Sequence, residues 1–196
     1  MSVGESFALG DRTAVVVGGD AAIRDVVASA LTDAGAETSS IPCESFVSGA
    51  PGAHSADILV LNCFNAHALA VDPLEEIARL NGSLVTLPWA AMEKFTPAMQ
   101  PRRWGRVIFL TSDVDADSSI ANCTAHRAQS ALVQAEARRL AGAGITVNRV
   151  IVGACSRDGL ADWKSDLASA VRYFASSESS FVTGQTLRLD ASFARN

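Results

Sequence analysis

Apolar and polar positions along the chain alternate between two periods, and each change marks a new element. Residues 13–17 form a continuous, largely β-branched run closed by Gly18-Gly19, the pattern of a strand buried on both faces. Residues 21–34 then place Ile23, Val26, Val27, Ala30 and Leu31 at helical spacing, with Gly35 as the stop. Residues 36–41 predict a short second strand and residues 57–61 (DILVL) another buried one. A helix is expected to start at Asp72-Pro73, with Asp72 as N-cap and proline at the first helical position, where its missing N–H costs nothing. Residues 106–110 (RVIFL) predict a strand, 125–141 an alanine-rich helix and Ile145–Val152 a strand after the Gly142-Ala143-Gly144 stop. Residues 167–175 read as a helix and 185–189 as a last strand. Strands alternating with helices predict one α/β domain over residues 1–196: a truncated, Rossmann-like, doubly wound parallel sheet of about six strands with helices on both faces.

Composition narrows the function classes. The chain has 16 Lys+Arg against 21 Asp+Glu, 48% apolar residues and 19% charged. It lacks the low hydrophobicity of a disordered chain and the basic patch of a nucleic-acid or membrane-surface binder, so neither partner is expected. The charged fraction lies below the roughly 25% of an ordinary soluble domain, and mean hydropathy is +0.20. An oligomer is expected from that excess of apolar surface. No leader pattern or membrane-length apolar run is present, which predicts a cytoplasmic protein. Cys43, Cys63, Cys123 and Cys155 show no CxxC pair or zinc spacing, and His54, His67 and His126 form no ligand pattern with them. Four reduced thiols and no metal are expected.

Several segments resemble the short-chain dehydrogenase/reductase family over nearly the whole chain. GITVNRVIVGA is similar to that family's GIxVNxVxPG strand, and FVTGQTLRLDAS to its TGQ-x-L-x-VDGG ending. RTAVVVGGDAAIRDVVASALTDAGA resembles the first strand, glycine turn and helix. DILVLNCF falls where the family has D-x-LVNNAG, and GRVIFLTS resembles the strand ending in its catalytic serine. The resemblance implies hydride transfer with a nicotinamide cofactor, run by Ser, Tyr and Lys with a supporting Asn.

The residues that would carry this chemistry depart from the pattern. Of the three turn glycines only Gly18 is present; Ala22 and Arg24 replace the others, and Asp20 adds a negative charge where a pyrophosphate would lie. Arg24 alone offers a phosphate partner. Ser40, Ile41 and Pro42 stand where a ribose-binding acid or base belongs, and Phe64, two residues after Asn62, replaces the glycine of NNAG. The connection 42–56 is too short for the helix, edge strand and helix that form much of the family's adenine pocket. Ser112 matches the catalytic serine, but a gapless count places Asn122 at the tyrosine position and His126 at the lysine position. An amide cannot replace a phenol of lowered pKa in exchanging a proton with the substrate oxygen. The single tyrosine, Tyr173, has the helical spacing of a structural residue. The substrate lid, 153–166, is shortened as well.

Retained are the helices through which the family pairs its subunits. The first carries Leu74, Ile77, Ala78, Leu80, Leu84, Leu87, Trp89, Met92 and Phe95, with Pro88 expected to kink it. The second carries Ala128, Ala131, Leu132, Ala135 and Leu140. The C-terminal segment, with Ala191-Ser192 in place of Gly-Gly and Phe193 as an anchor, resembles the family's second contact. Together these imply a non-catalytic subunit, with Gly18, Ala22, Arg24, Asn62, Phe64, Ser112, Asn122 and His126 as vestigial positions and no cofactor of its own. Its expected partner is an active paralogue carrying NAD in a heterotetramer. Such pairing resembles the hydroxyacyl-CoA dehydrogenases of anaerobic aromatic β-oxidation, including the benzylsuccinate route from toluene. Two alternatives follow from the same residues. One is a divergent enzyme using Ser112 and His126, with Asp113 or Asp115 as orienting acid; the other is a module binding a small ligand in the residual cleft. The halohydrin dehalogenase variation on this fold also dispenses with the cofactor, but it keeps a tyrosine.

Overall fold

The computed structural model describes residues 7–47, 55–64, 72–114, 118–153 and 163–189. Six strands form one parallel sheet: β1 (Thr13–Gly18), β2 (Glu37–Ile41), β3 (Ile58–Asn62), β4 (Gly105–Ser112), β5 (Ile145–Val152) and β6 (Thr186–Leu189), in the order β2-β1-β3-β4-β5-β6. Alternate residues of each strand enter opposite cores. Val15, Val17, Leu59, Leu61, Val107, Phe109 and Val147 face one side, against α4 (Leu87–Met99) and α5 (Ile120–Ala141). Val16, Ile58, Val60, Ile108, Leu110, Val150 and Val152 face the other, against α1 (Ala21–Asp33) and the last helix, α6 (Trp163–Ala175). The helices cover both faces, as the alternating pattern predicts.

The connection after β2 is a correction in part. It holds one short helix, α2 (Cys43–Val47), which the apolar pattern did not reveal; residues 48–54 lie outside the described set. The sheet ends at β2 on this side. Two helices begin earlier than their periodicity predicts. Helix α5 starts at Ile120 because the Ser119 hydroxyl accepts from the Asn122 N–H at 3.1 Å, capping the first turn. Helix α6 starts at Trp163 rather than 167. The start of α3 (Pro73–Asn81) is as expected: the Asp72 carboxylate accepts from the Leu74 N–H at 2.8 Å.

The interruption at Pro88 takes the form of a π turn, Gly82–Thr86, joining α3 to α4, in which the Leu87 N–H bonds the Gly82 carbonyl. Proline cannot donate to the Leu84 carbonyl four residues earlier. The fully buried Gln129 of α5 donates to that carbonyl instead, through Nε2 at 3.0 Å. A helix-breaking residue in one helix is thus compensated by an amide in its neighbour. On the opposite end of the sheet, the buried Arg106 guanidinium bonds the Ser176 carbonyl and Ser180 Oγ, tying β4 to the segment after α6.

Two substitutions test this account by urea unfolding. Gln129→Met leaves the Leu84 carbonyl buried and unpaired and is expected to cost about 1–3 kcal/mol. Gly142→Ala, at a helical position where an added Cβ meets nothing within 4 Å, is expected to be neutral or to stabilise by up to about 1 kcal/mol.

Candidate functional site

The turn between β1 and α1 is closed by its own residues. Gly18 has φ of 143°, and a Cβ there would lie 2.0 Å from the Asn62 carbonyl oxygen, so this glycine is needed for β1 to approach β3. The Asp20 carboxylate accepts from the Ile23 N–H at 2.9 Å and caps α1. Arg24 Nη1 donates to the Gly18 and Gly19 carbonyls at 2.8 and 2.6 Å. Asn62 Nδ2 donates to the Asp20 carbonyl at 2.8 Å, and Asn62 Oδ1 accepts from the Phe64 N–H. Phe64 lies in the core with Ile23 and Val27, 3% exposed.

These residues do not fit a dinucleotide. A pyrophosphate seated on a helix N-terminus needs free N–H groups and a positive local field. Here the Asp20 carboxylate already occupies that position, and the nearby Arg24 guanidinium is turned back onto the loop's carbonyls. Ser39 and Ser40 at the end of β2 are exposed and carry no charge for a ribose. Ala22 is exposed on the first turn of α1.

Ser112, Asn122 and His126 do come together, around a cavity of about 50 Å³ shared with Cys63, Glu76, Arg79, Leu80 and Leu84. That space has room for a water molecule but is too small for a substrate. No hydrogen bond links Ser112 to His126 among the described residues. Burial, the Arg149 charge and, in the opposite sense, Asp113 leave the His126 imidazole with a pKa lowered to about 4. It is neutral at pH 7 and a weak base. Asp113 does not orient it: that carboxylate is paired with Arg188 and accepts from the Val114 N–H. Burial also raises the Cys63 thiol, which stays protonated. Tyr173 stacks edge-on against Phe7, with ring centroids 5.8 Å apart, on α6 and across the sheet from α5. Asp115, His54, His67, Cys155, most of 153–166 and Ala191 to Phe193 lie outside the described residues. Cys43, Cys63 and Cys123 are free thiols, and no three metal-ligating side chains converge among the described residues.

A second cavity, of about 320 Å³, lies between α5 and the β5–β6 edge; its lining includes Asp113, His126, Arg127, Arg149 and Arg188. The sequence reading did not single out these arginines. The available signal was Arg149 itself, a charge within the otherwise apolar run ITVNRVIV.

The titration of His126 has a measurable consequence. Because its folded pKa lies below the ordinary value near 6.5, the unfolded chain binds the proton first. Stability is therefore complete above about pH 6.5, falls as pH drops toward 4, and has no further slope from this group below that. The loss should be on the order of 2 kcal/mol, read from urea midpoints at pH 7 and 5. His126→Gln should flatten the curve between those values. Gly18→Ala should destabilise by about 3 kcal/mol, through the clash with Asn62 and the positive φ.

No protein-family model matches the chain, and no curated protein sequence is similar to it. Solved structures share its architecture. A short-chain type dehydrogenase/reductase from Mycobacterium marinum superposes with a TM-score of 0.77 at 22% identity, over 100% of both chains. A gluconate 5-dehydrogenase from Burkholderia cenocepacia, in complex with NADP and tartrate, gives 0.76 at 18% identity, again over 100% of both. A 3-oxoacyl-(acyl-carrier-protein) reductase from Agrobacterium tumefaciens with NADP bound gives 0.72 at 22% identity over 96% of each. The chain has the Rossmann-like α/β fold of these dehydrogenase and reductase structures, with a β1–α1 turn closed by its own side chains.

Proposed function

We propose that this chain is a non-catalytic member of the short-chain dehydrogenase/reductase family, a structural subunit that pairs with an active paralogue. The observation that carries the reading is the filled seat at α1, where Asp20 caps the helix and Arg24 closes the loop. The small cavity around Ser112, Asn122 and His126, with an amide in place of the phenol, supports it. In this reading the partner holds NAD and performs the dehydrogenation of an alcohol or hydroxyacyl-CoA, and the assembly is a heterotetramer. The benzylsuccinate β-oxidation type is the specific architecture it resembles.

Support for pairing comes from what the helices leave uncovered. Leu80, Leu84, Met92 and Phe95 of the apolar series are buried in the chain's own core, whereas Leu74, Ile77 and Trp89 are 76%, 40% and 50% exposed. Ile120, at the start of α5, is 85% exposed, and the Ser119 hydroxyl donates to Glu76 at 2.8 Å, bringing the starts of α3 and α5 together. Ala131 and Ala135 are exposed farther along α5. An apolar and small-residue face of this kind is suited to close helix packing across an interface.

Two measurements test the proposal. Isothermal titration of the isolated chain with NADH and NADPH should give no saturable heat; micromolar binding of either would overturn the reading. Co-expression with an active short-chain dehydrogenase paralogue from the same genome should yield a stable complex by size-exclusion chromatography with light scattering. The pair Ile77→Glu and Trp89→Glu, both on exposed positions, should weaken that complex at least tenfold. A chain that stays monomeric and captures no partner would remove the subunit proposal.

A further inference from the structure

The cavity between α5 and the β5–β6 edge has a feature that the pairing proposal does not use. Arg149 stands on β5 with the parity of Ile145 and Val147, so its side chain enters the face covered by α5. It is 7% exposed, and among the described residues its guanidinium hydrogen bond is from Nη1 to the His126 carbonyl at 3.1 Å. Its Nε is buried without a partner. A buried cation with an unpaired donor is costly unless a counter-charge completes it. The carboxylate among the described lining residues, Asp113, is committed to Arg188 and the Val114 N–H.

The rest of the lining adds positive charge and donors. Arg127, exposed on α5, forms no ion pair among the described residues, and the Ser130 hydroxyl also lines the space. Among the described lining residues three arginines face one aspartate, with His126 neutral at pH 7. A volume of about 320 Å³ is at the small end of ligand pockets. We propose that this cavity is a binding site for a small organic oxyanion, a phosphate monoester or short dicarboxylate, with Arg149 as its buried counter-charge and Arg127 at its mouth. A guanidinium fork matches either group through paired N–H donors. The site is distinct from the β1–α1 turn and does not depend on subunit pairing.

The test uses the full chain, inorganic phosphate and succinate as probes, and sodium chloride to hold ionic strength constant. Thermal unfolding should show a saturable rise in Tm of several degrees with at least one probe, and isothermal titration a submillimolar Kd. A response to phosphate alone assigns a phosphate ester, and to succinate alone a dicarboxylate; either supports the site. Arg149→Met and Arg127→Ala should each weaken binding at least tenfold, while Arg138→Ala, an exposed arginine elsewhere on α5, should leave it unchanged. If Arg149→Met does not fold, Arg127→Ala decides alone. No saturable shift beyond the chloride control, wild-type affinity in the Arg127 variant, or equal loss in Arg138→Ala would overturn the proposal.

Discussion

The approach of β1 to β3 at Gly18 governs the geometry of everything around it. With the Gly18 α-carbon against the Asn62 carbonyl, the loop that follows must turn tightly, and its polar groups must find partners within a few residues. Asn62, Asp20 and Arg24 supply them through four hydrogen bonds to the loop and helix start. Three of these bonds satisfy loop carbonyls and one, to the Asp20 carboxylate, takes the Ile23 N–H and places a negative charge at the helix start where a phosphate would sit. Gly18 serves here for the close approach of two strands.

A second consequence concerns α5, which combines long apolar packing with unusual buried polar groups. Gln129 supplies the donor that Pro88 cannot, and Arg149 reaches the helix from the sheet to bond the His126 carbonyl. These contacts hold α5 over β5 while leaving its exposed alanines available. They also keep His126 uncharged, because a second positive charge beside Arg149 in a desolvated site is unfavourable. Helix α5 therefore presents the Asn122 amide and a neutral His126 imidazole to the small cavity it shares with Ser112.

Much of the fold was legible in the linear pattern. The buried strands announce themselves as β-branched runs because both their faces are covered, and Ile145–Val152 coincides with its predicted bounds for that reason. Asp72 and Pro73 mark a helix start because capping is local chemistry. Helix starts without such periodicity, at Ile120 and Trp163, and the one-turn helix Cys43–Val47 were not legible: one rests on a side-chain cap, and a five-residue helix is too short for a hydrophobic period.

For the site the division is sharper. Residue identity alone determined that Asn122 has no phenolic proton, that Ala22 and Arg24 depart from the glycine pattern, and that Ser40 offers no charge, since these are properties of side chains and need no coordinates. Only the tertiary structure decided where Arg24 and Asp20 spend their hydrogen bonds, which members of the apolar helix series are buried, and that Arg149, Arg127 and Arg188 share one cavity. Those outcomes depend on contacts between elements distant along the chain, whose packing no local pattern encodes.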